Sequence, residues 1–386
     1  MNNMLSFWER EIIQTPADLI IIGAGIVGLH TALFYKRTHP GRRVVVLERS
    51  NLSYGASTRN AGFACFGSPT ELLAELKEVT ETELWDVVER RWRGLSRLRQ
   101  EHGDEALLFE NNGGYELFDA AANERYQSSI ASLDYFNEAI FKITGKREVY
   151  ANADAERSLF GFGGVEHLIK NKLEGQINSG AMMQHLWQKC MQEGVVVFTN
   201  VLVEAVESIG GLVHLQTSGW QSDAAVEMRA ERVAVCTNAF ASRLLGEMDI
   251  IPARAQVLIT NPIENLNWKG TFHYDEGYYY FRNVGQRILF GGARNKAFEE
   301  EHSDEIILTD RIQNALDEFM ARVIRPQLDY SVDMRWSGIM AMGKDHLLPK
   351  IKHLGNGIYI AARCNGMGVA IGIQTAADLN DLLISL

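Results

Sequence analysis

The sequence predicts an α/β protein, α+β overall, in which a helix-flanked parallel sheet is joined to a second, mainly antiparallel sheet. Three observations predict this fold class. A continuous apolar run near the N-terminus leads into closely spaced glycines and a helical pattern. A second apolar run, glycine-rich turn and helical pattern close the chain. Segments with strand-like alternation lie between these two ends.

The composition excludes several classes of protein. A chain of 386 residues, 46% apolar and with only 7 Pro, is typical of a globular protein of about two domains. Because 49 Asp and Glu outnumber 38 Lys and Arg, the net charge is −11, and we expect no nucleic-acid partner. The cysteines show neither zinc-ligand nor disulfide spacing, which predicts no metal site and favours a reducing compartment. They are Cys65, Cys190, Cys236 and Cys364.

Export and membrane insertion are not indicated. The N-terminus lacks the basic start and the small-residue cleavage site of a signal peptide. Residues 19–35 carry no Asp, Glu, Lys or Arg, but glycines interrupt the run and it is shorter than the about 18 residues that a span requires. We therefore expect a cytoplasmic protein without a membrane span.

The first motif is a βαβ unit at the N-terminus. Residues 18–22 form an apolar run typical of a buried parallel strand, and Gly23, Gly25 and Gly28 follow with the spacing GxGxxG. These glycines allow a tight turn, the close approach of a pyrophosphate, and close packing of the helix that starts at Ile26. A second strand, residues 44–47, ends in Glu48, which can accept hydrogen bonds from ribose hydroxyls. The unit predicts a Rossmann-like site for NAD or FAD, without distinguishing them.

The segments after this unit carry a resemblance to a known family. Residues 55–62, GASTRNAG, form a loop of small residues after the second strand. The unit and this loop together resemble the FAD-dependent D-amino acid oxidase-like superfamily, which includes glycine oxidase, sarcosine oxidase and γ-glutamylputrescine oxidase. Residues 237–239, after the predicted strand 232–236, are similar to the family segment that returns to the flavin. Residues 201–203 resemble the stretch that holds the adenine.

The C-terminal end favours a flavin over NAD. Residues 357–362 predict a strand, and Asn365-Gly-Met-Gly368 then opens a helix with one apolar face. The N-terminus of this helix would stabilise the negative charge that develops at N1 and C2=O of a reduced flavin. An NAD dehydrogenase has no need of this returning segment.

The resemblance implies noncovalent FAD, since Ser337 and Gly338 stand in the neighbourhood where sarcosine oxidases carry the cysteine that binds the flavin. It also implies a set of cofactor-binding residues along the whole chain. These are Gly23, Gly25, Ile26, Gly28, Glu48, Arg49, Ala56, Ser57, Thr58, Arg59, Asn60, Ala61, Gly62, Val203, Thr237, Asn238, Ala239, Gly338, Asn365, Gly366, Met367 and Gly368.

The resemblance further implies two discontinuous domains. The FAD-binding domain would comprise residues 1–105, 160–245 and 335–386, and the substrate domain residues 106–159 and 246–334. Within the latter, residues 113–118 alternate like a strand, and residues 278–290 predict a hairpin. Residues 71–99 predict a helix, and we interpret its basic run 90–93 as a solvated face, because the acids around it cancel the charge.

In this superfamily a C–H bond next to an amine nitrogen gives a hydride to flavin N5, the imine is hydrolysed, and oxygen reoxidises the flavin to yield hydrogen peroxide. The small-molecule substrate would be an amine or amino acid, and no obligatory acid or base is expected. The substrate-side candidates are Arg59, which matches a position beside the flavin, and Tyr280 and Arg282, which share one strand face with Tyr278.

One position departs from the family pattern. Glycine oxidase carries an arginine that binds the substrate carboxylate, and Met340 stands at that position here. Because a buried carboxylate without a charged partner is costly, either Arg282 or Arg335 replaces that arginine or the substrate lacks a carboxylate.

Two alternative functions remain open at this point. A flavin dehydrogenase of the same fold could oxidise a hydroxy acid or amine and reduce a quinone or a carrier protein. An RNA-modifying or noncatalytic flavoprotein is the other alternative, and the net charge of −11 argues against RNA. The substrate, the electron acceptor and the oligomeric state are left undetermined.

Overall fold

The computed structural model describes residues 5–220, 225–324, 330–344 and 346–385. The helices of these residues are α1 (Phe7–Gln14), α2 (Ile26–Thr38), α3 (Ala56–Arg59), α4 (Pro69–Glu78), α5 (Glu81–His102), α6 (Asp104–Leu107), α7 (Asn123–Thr144), α8 (Ser179–Gln192), α9 (Ser242–Leu245), α10 (Asp310–Phe319) and α11 (Gly368–Ile384). No described helix is both long and apolar enough to cross a lipid bilayer.

The strands are β1 (Ala17–Ile22), β2 (Val44–Leu47), β3 (Phe63–Ala64), β4 (Gly114–Asp119), β5 (Tyr150–Asn152), β6 (Val165–Asn171), β7 (Gly175–Gln176), β8 (Val196–Phe198), β9 (Leu202–Ile209), β10 (Leu212–Ser218), β11 (Val226–Val235), β12 (Ile251–Thr260), β13 (Thr271–Tyr274), β14 (Tyr279–Val284), β15 (Arg287–Gly292), β16 (Val332–Met342), β17 (Lys350–Gly355) and β18 (Ile358–Ala362).

The first sheet has the predicted parallel centre. Strand β1 lies between β11 and β2, with Ile20 in register with Val233 on one side and Val45 on the other. Strands β8 and β18 extend this parallel layer, and β17 and the β9–β10 hairpin add antiparallel pairs. Both faces of β1 are buried: one face packs against the helices, and the other lies in a second apolar cluster. This explains its continuous apolar run, since neither side of the strand contacts water.

The second sheet is mainly antiparallel, as predicted. Its order is β16-β12-β15-β14-β13-β4-β6-β5, and the β13–β4 pair is parallel. The predicted hairpin is present: Val284 pairs with Arg287 across a turn at Gly285, whose φ is +57°. This conformation suits the two-residue turns that follow the twist of their strands. The α/β fold with a second sheet is therefore confirmed.

Two local predictions differ from the structure. Residues 71–99 lie in two helices. Helix α4 ends at Glu78, and the Thr80 hydroxyl then accepts a hydrogen bond from the Glu83 N–H and caps the start of α5. The loop 55–62 contains the short helix α3. Strand β6 pairs with β4 and β5, and strand β16 pairs with β12, so both belong to the second sheet. The division into two domains itself stays a prediction.

Candidate active site

A cavity of about 930 Å³ opens where the parallel strands of the first sheet end. Ile22 and Leu47, the last residues of β1 and β2, line it, as does Cys236 directly after β11. Ligands of open α/β sheets bind at the carboxyl ends of the strands, where loops leave a crevice. The cavity continues from this crevice to the face of the second sheet, where β14 contributes Tyr280.

The GxGxxG turn is shaped by contacts that exclude side chains. Gly23 has φ +103°, and a Cβ there would lie 2.9 Å from the Cys236 carbonyl oxygen. A Cβ at Gly28 would lie 2.0 Å from the Gly23 carbonyl oxygen, so only glycine lets α2 pack this closely on β1. Helix α2 begins after Gly25, which provides no side-chain cap. Its N-terminal N–H groups and dipole therefore suit a phosphate.

Glu48 is held at the end of β2 by two backbone donors. Its Oε2 accepts from the Ala24 N–H and its Oε1 from the Ser50 N–H, both at 3.0 Å. Burial raises the pKa of this carboxyl. Each carboxylate oxygen has a second acceptor site, so both can also accept hydrogen bonds from ribose hydroxyls.

Helix α3 is tied to β16 of the second sheet. The Arg59 Nε donates to the Ser337 carbonyl oxygen (2.5 Å), and Trp336 Nε1 donates to the Arg59 carbonyl oxygen (3.1 Å). A Cβ at Gly338 would lie 3.1 Å from the Arg59 Cβ, which explains the glycine. The Arg59 guanidinium lies 4.4 Å from the centre of the Tyr54 ring, at the cavity wall.

The turn before α11 is fixed by the side chain of Asn365, whose φ is +46°. Its Oδ1 accepts from the Gly343 N–H (3.0 Å), and its Nδ2 donates to the Leu347 carbonyl oxygen (2.7 Å). These bonds place the N-terminus of α11 on the cavity. Nearby, the Thr237 hydroxyl is buried, lines the cavity and has no hydrogen-bond partner within the described ranges. Such an orphaned donor fits a bound polar ligand.

Most of the residues predicted to bind the cofactor line this one cavity. Gly28 and Thr58 do not: Gly28 is a packing position, and the Thr58 hydroxyl donates to the Ser53 carbonyl oxygen (2.5 Å). The predicted residues that line it are Gly23, Gly25, Ile26, Glu48, Arg49, Ala56, Ser57, Arg59, Asn60, Ala61, Gly62, Val203, Thr237, Asn238, Ala239, Gly338, Asn365, Gly366, Met367 and Gly368.

Of the substrate-side candidates on β14, Tyr280 lines the cavity and Arg282 does not. Tyr280 packs over Gly291, where a Cβ would lie 2.8 Å from its ring, and burial raises the pKa of its hydroxyl to about 12. The Arg282 guanidinium donates to backbone carbonyl oxygens, at 3.0 Å for Ile177 and 3.1 Å for Asn283. Its Nε also donates to the Ala61 carbonyl oxygen, so three of its N–H groups are used within the protein.

Arg335 is also engaged elsewhere, because its Nη2 binds Asp317 Oδ1 at 2.7 Å. Of the arginines that line the cavity, Arg91 and Arg243 are ion-paired, and Arg49 and Arg59 belong to the predicted cofactor-binding set, Arg59 being also a substrate-side candidate. The remaining one is Arg294, which the sequence did not indicate. It has no ion-pair partner among the residues that the structure describes, and its guanidinium lies 4.8 Å from the centre of the Phe298 ring. Burial lowers its pKa. The only sequence signal was the pair of glycines, Gly291 and Gly292, that ends β15 just before Ala293.

Another part of the cavity wall is a face of α4 that carries carboxylates, including Glu71 and Glu75. Glu75 is neutralised by Arg91, whose Nη2 lies 2.9 Å from its Oε1. The interpretation of residues 90–93 as a solvated face is therefore wrong for Arg91, which is 2% exposed. This arginine lies on the side of α5 that packs against α4.

His273, on β13, forms a buried ion pair beside this wall. Its Nε2 lies 2.5 Å from Glu174 Oε1, and this carboxylate helps to raise the pKa of the imidazole to about 9 against the effect of burial. Cys65 lies nearby, and the ligand atoms of the three residues fall within 4.8 Å of one another. The direct hydrogen bond indicates a side-chain ion pair rather than a set of metal ligands.

The comparisons with known proteins agree with this geometry. Residues 18–382 match the model of a family described as FAD dependent oxidoreductase, DAO. A curated relative, a probable oxidoreductase, OrdL, of Haemophilus influenzae, is 22% identical over 92% of this chain and 80% of its own length.

Solved structures of related fold cover nearly the whole chain. L-proline dehydrogenase from P. horikoshii superposes with a TM-score of 0.76 at 17% identity, over 97% of this chain and 94% of that one. Glycine oxidase from Geobacillus kaustophilus gives 0.72 at 18% identity, over 95% of each chain. At these identities the likeness shows the fold. With the family match over nearly its full length, the chain belongs to the DAO family of FAD-dependent oxidoreductases.

Proposed function

We propose that this enzyme oxidises the CH–NH bond of an α-amino acid, with noncovalent FAD as cofactor. Bound FAD supplies the acceptor for the hydride that leaves the carbon next to nitrogen. The proposal is carried by Arg294, a cation that lines the cavity without a carboxylate partner in the described part of the chain. A half-buried guanidinium gains most from a ligand that brings a carboxylate, because the pair can form two parallel hydrogen bonds.

Arg294 supports a substrate with a carboxylate although Met340 stands at the family's arginine position. Met340 lines the cavity but cannot bind a carboxylate, and Arg282 and Arg335 have their donors occupied. Arg294 is positioned from the backbone, since the N–H of the preceding residue, Ala293, donates to the Tyr278 carbonyl oxygen at 2.7 Å. Two structural neighbours are named for amino acids, glycine and L-proline, which supports the same substrate class.

The residues around the dinucleotide end suit FAD. The N-terminus of α2 would receive the pyrophosphate, Glu48 the ribose, and the N-terminus of α11 the pyrimidine edge of the flavin. Burial raises the pKa of the Cys65 thiol well above its usual value and that of Cys364 to about 12. Because the thiolate is the nucleophile, these cavity cysteines are poorly suited to a covalent flavin link. We expect all flavin to stay in solution when the protein is denatured and precipitated.

The test is an anaerobic screen of the FAD-loaded enzyme by loss of flavin absorbance. The probes are glycine, sarcosine, L-proline, the L and D forms of the common amino acids, and putrescine. We expect an amino acid to reduce the flavin, and R294M to raise its KM about 30- to 150-fold, the range for losing a charged hydrogen bond worth about 2 to 3 kcal/mol. R294K should fall between, and the FAD content of both variants should equal that of the wild type.

The proposal fails if only amines without a carboxylate reduce the flavin, or if R294M keeps the wild-type KM. Admitting air to the reduced enzyme then tests the acceptor. Rapid reoxidation with one hydrogen peroxide per turnover supports an oxidase, whereas slow reoxidation supports a dehydrogenase that uses a quinone or a carrier protein.

A further inference from the structure

We propose that Glu71 accepts the proton of the substrate's ammonium group before oxidation, an inference that rests on the proposed function. In this step an N–H bond of the ammonium breaks and the proton binds to Glu71 Oε1. The electron pair of the broken bond stays on nitrogen, which becomes a neutral amine. Only the neutral amine has the lone pair that forms the C=N bond as hydride leaves the adjacent carbon.

The carboxylate of Glu71 is seated with one oxygen used and one available. Glu71 is the N3 residue of a capping box at the start of α4, and its Oε2 accepts a hydrogen bond from the Ser68 N–H at 2.8 Å. A Cβ at Gly277 would lie 2.2 Å from Oε1. Glycine at 277, with φ +77°, therefore leaves the space that this oxygen occupies, and both residues line the cavity.

Glu71 and Arg294, the residue proposed to bind the substrate carboxylate, both lie near one short segment of the chain. Oε1 of Glu71 lies against Gly277, and the next residue, Tyr278, accepts a hydrogen bond from the N–H of Ala293, the neighbour of Arg294. Consecutive Cα atoms are about 3.8 Å apart. The cavity lining thus carries an anionic and a cationic group next to residues 277–278, the pattern that complements the ammonium and carboxylate of an amino acid.

Other groups at this end of the cavity are poorly suited to accept the proton. Glu75 is paired with Arg91, and His273 already carries a proton that Glu174 stabilises. The Tyr280 hydroxyl is protonated at any ordinary pH, since its pKa is about 12. Glu276, the neighbour of Gly277, also lines the cavity but is paired with Arg125 at 3.6 Å. Glu71 has no ion-pair partner in the described ranges, and its Oε1 lies against Gly277.

The surroundings of Glu71 are close to neutral in charge. The cations that face it are each matched by a carboxylate of their own, so burial remains the main influence and raises the pKa of Glu71. A carboxylate with a raised pKa is a better proton acceptor near neutral pH. The titratable groups around it are Glu75 on its own helix, Arg91 on α5, Glu116 on β4, His273 on β13, Cys65 after β3, Tyr150 on β5, and Glu174, the partner of His273.

The test compares E71Q with E9Q in the FAD-loaded enzyme. Glutamine serves the third position of a capping box as well as glutamate, so E71Q keeps the helix start and loses only the proton acceptor. Glu9 occupies the same position in the capping box of α1, on the surface and outside the cavity. E9Q therefore controls for the replacement of a carboxylate by an amide at this position of a capping box. Thermal midpoint and FAD content are measured for both.

The readout is the rate of anaerobic flavin reduction between pH 6 and 10, with the best amino acid of the screen. We expect E71Q to be slower by about 10²- to 10⁴-fold at pH 7. Its rate should rise tenfold per pH unit up to the pKa of the free substrate amine, where it approaches the wild type. E9Q should follow the wild-type profile. Acetate, a carboxylate without an amine, should perturb the flavin spectrum with the same Kd in E71Q and wild type.

A parallel pH profile, in which E71Q is slower by a constant factor or not slower at all, overturns the inference. If E71Q does not fold, the wild-type profile decides: a rate that is flat through the ionisation of a carboxyl and rises only with the substrate amine also overturns it. Failure of the proposed function is a different result, since then no amino acid reduces the wild-type flavin.

Discussion

Arg254 and Glu301 form a buried, two-pronged ion pair that ties the segment after β15 to strand β12. The Nε–Oε2 and Nη2–Oε1 distances are both 3.0 Å, and the two residues are 2% and 1% exposed. Gln256 Nε2 also donates to Glu301. Arg294, at the start of this segment, lines the cavity, whereas Arg254 and Glu301 do not.

Replacing Glu301 by glutamine should therefore be costly. E301Q leaves the Arg254 guanidinium buried without a counter-charge, and breaking a buried pair in this way costs about 3 to 5 kcal/mol. Urea denaturation of E301Q and of E299Q, at an exposed position two residues away, measures the difference in free energy of unfolding. A loss below 1 kcal/mol for E301Q would show that the pair is dispensable.

Gly28 should matter for packing and therefore for cofactor retention. A methyl group at position 28 would lie 2.0 Å from the Gly23 carbonyl oxygen, so G28A must push α2 away from β1. We expect a lower thermal midpoint and weaker FAD binding, measured by fluorescence of released flavin. G41A, where a Cβ meets nothing within 4 Å, is the matched control. Equal FAD affinity in G28A and wild type would contradict the expectation.

Arg282 and Arg294 should separate into a structural and a substrate-binding role. R282M leaves the Ala61 and Ile177 carbonyl oxygens without the guanidinium donor, which costs about 1 to 3 kcal/mol each when buried. The free energy of unfolding should therefore fall in R282M, while the KM of the refolded, FAD-loaded enzyme changes little. R294M should show the reverse. A large KM effect in R282M would return it to the substrate side.

Stability should decrease at mildly acidic pH because of a buried histidine pair. His30 Nδ1 donates to the Ile26 carbonyl oxygen at 2.7 Å, so its Nε2 accepts from His102 Nε2 at 2.8 Å and both rings are neutral. Burial lowers the pKa of His30 to about 3 and that of His102 to about 4. Between these values and the unfolded value of about 6.5, only the unfolded chain binds the protons.

The contribution of the pair is thus complete above pH 6.5 and is lost as the pH falls towards 4, at up to about 1.4 kcal/mol per pH unit for each group. The check is the free energy of unfolding of wild type and H102Q at pH 7 and pH 5. H102Q should show the smaller change between the two pH values. An equal change in both proteins would exclude the pair as a source of acid sensitivity.

Local sequence predicted what depends on short-range geometry. Gly23, Gly25 and Gly28 follow a strand with the spacing of a dinucleotide-binding turn. The structure shows the predicted strand before this turn and the predicted helix after it. The C-terminal strand, turn and helix were predicted for the same reason, since a buried parallel strand has a continuous apolar pattern. The break at Thr80 was missed, because a single capping residue competes weakly with helical periodicity.

The sequence by itself determined the two-sheet fold class, the dinucleotide turn and the FAD-dependent family, because each is encoded by residues adjacent in the chain. Only the tertiary structure decided which charged side chains reach the cavity. Arg282 is held by the carbonyl oxygens of Ala61 and Ile177, which are 221 and 105 residues away in sequence, whereas Arg294 and Glu71 are left facing the cavity. A charge becomes available to substrate only after all possible partners have been placed in space, and pairing across more than a hundred residues leaves no local pattern.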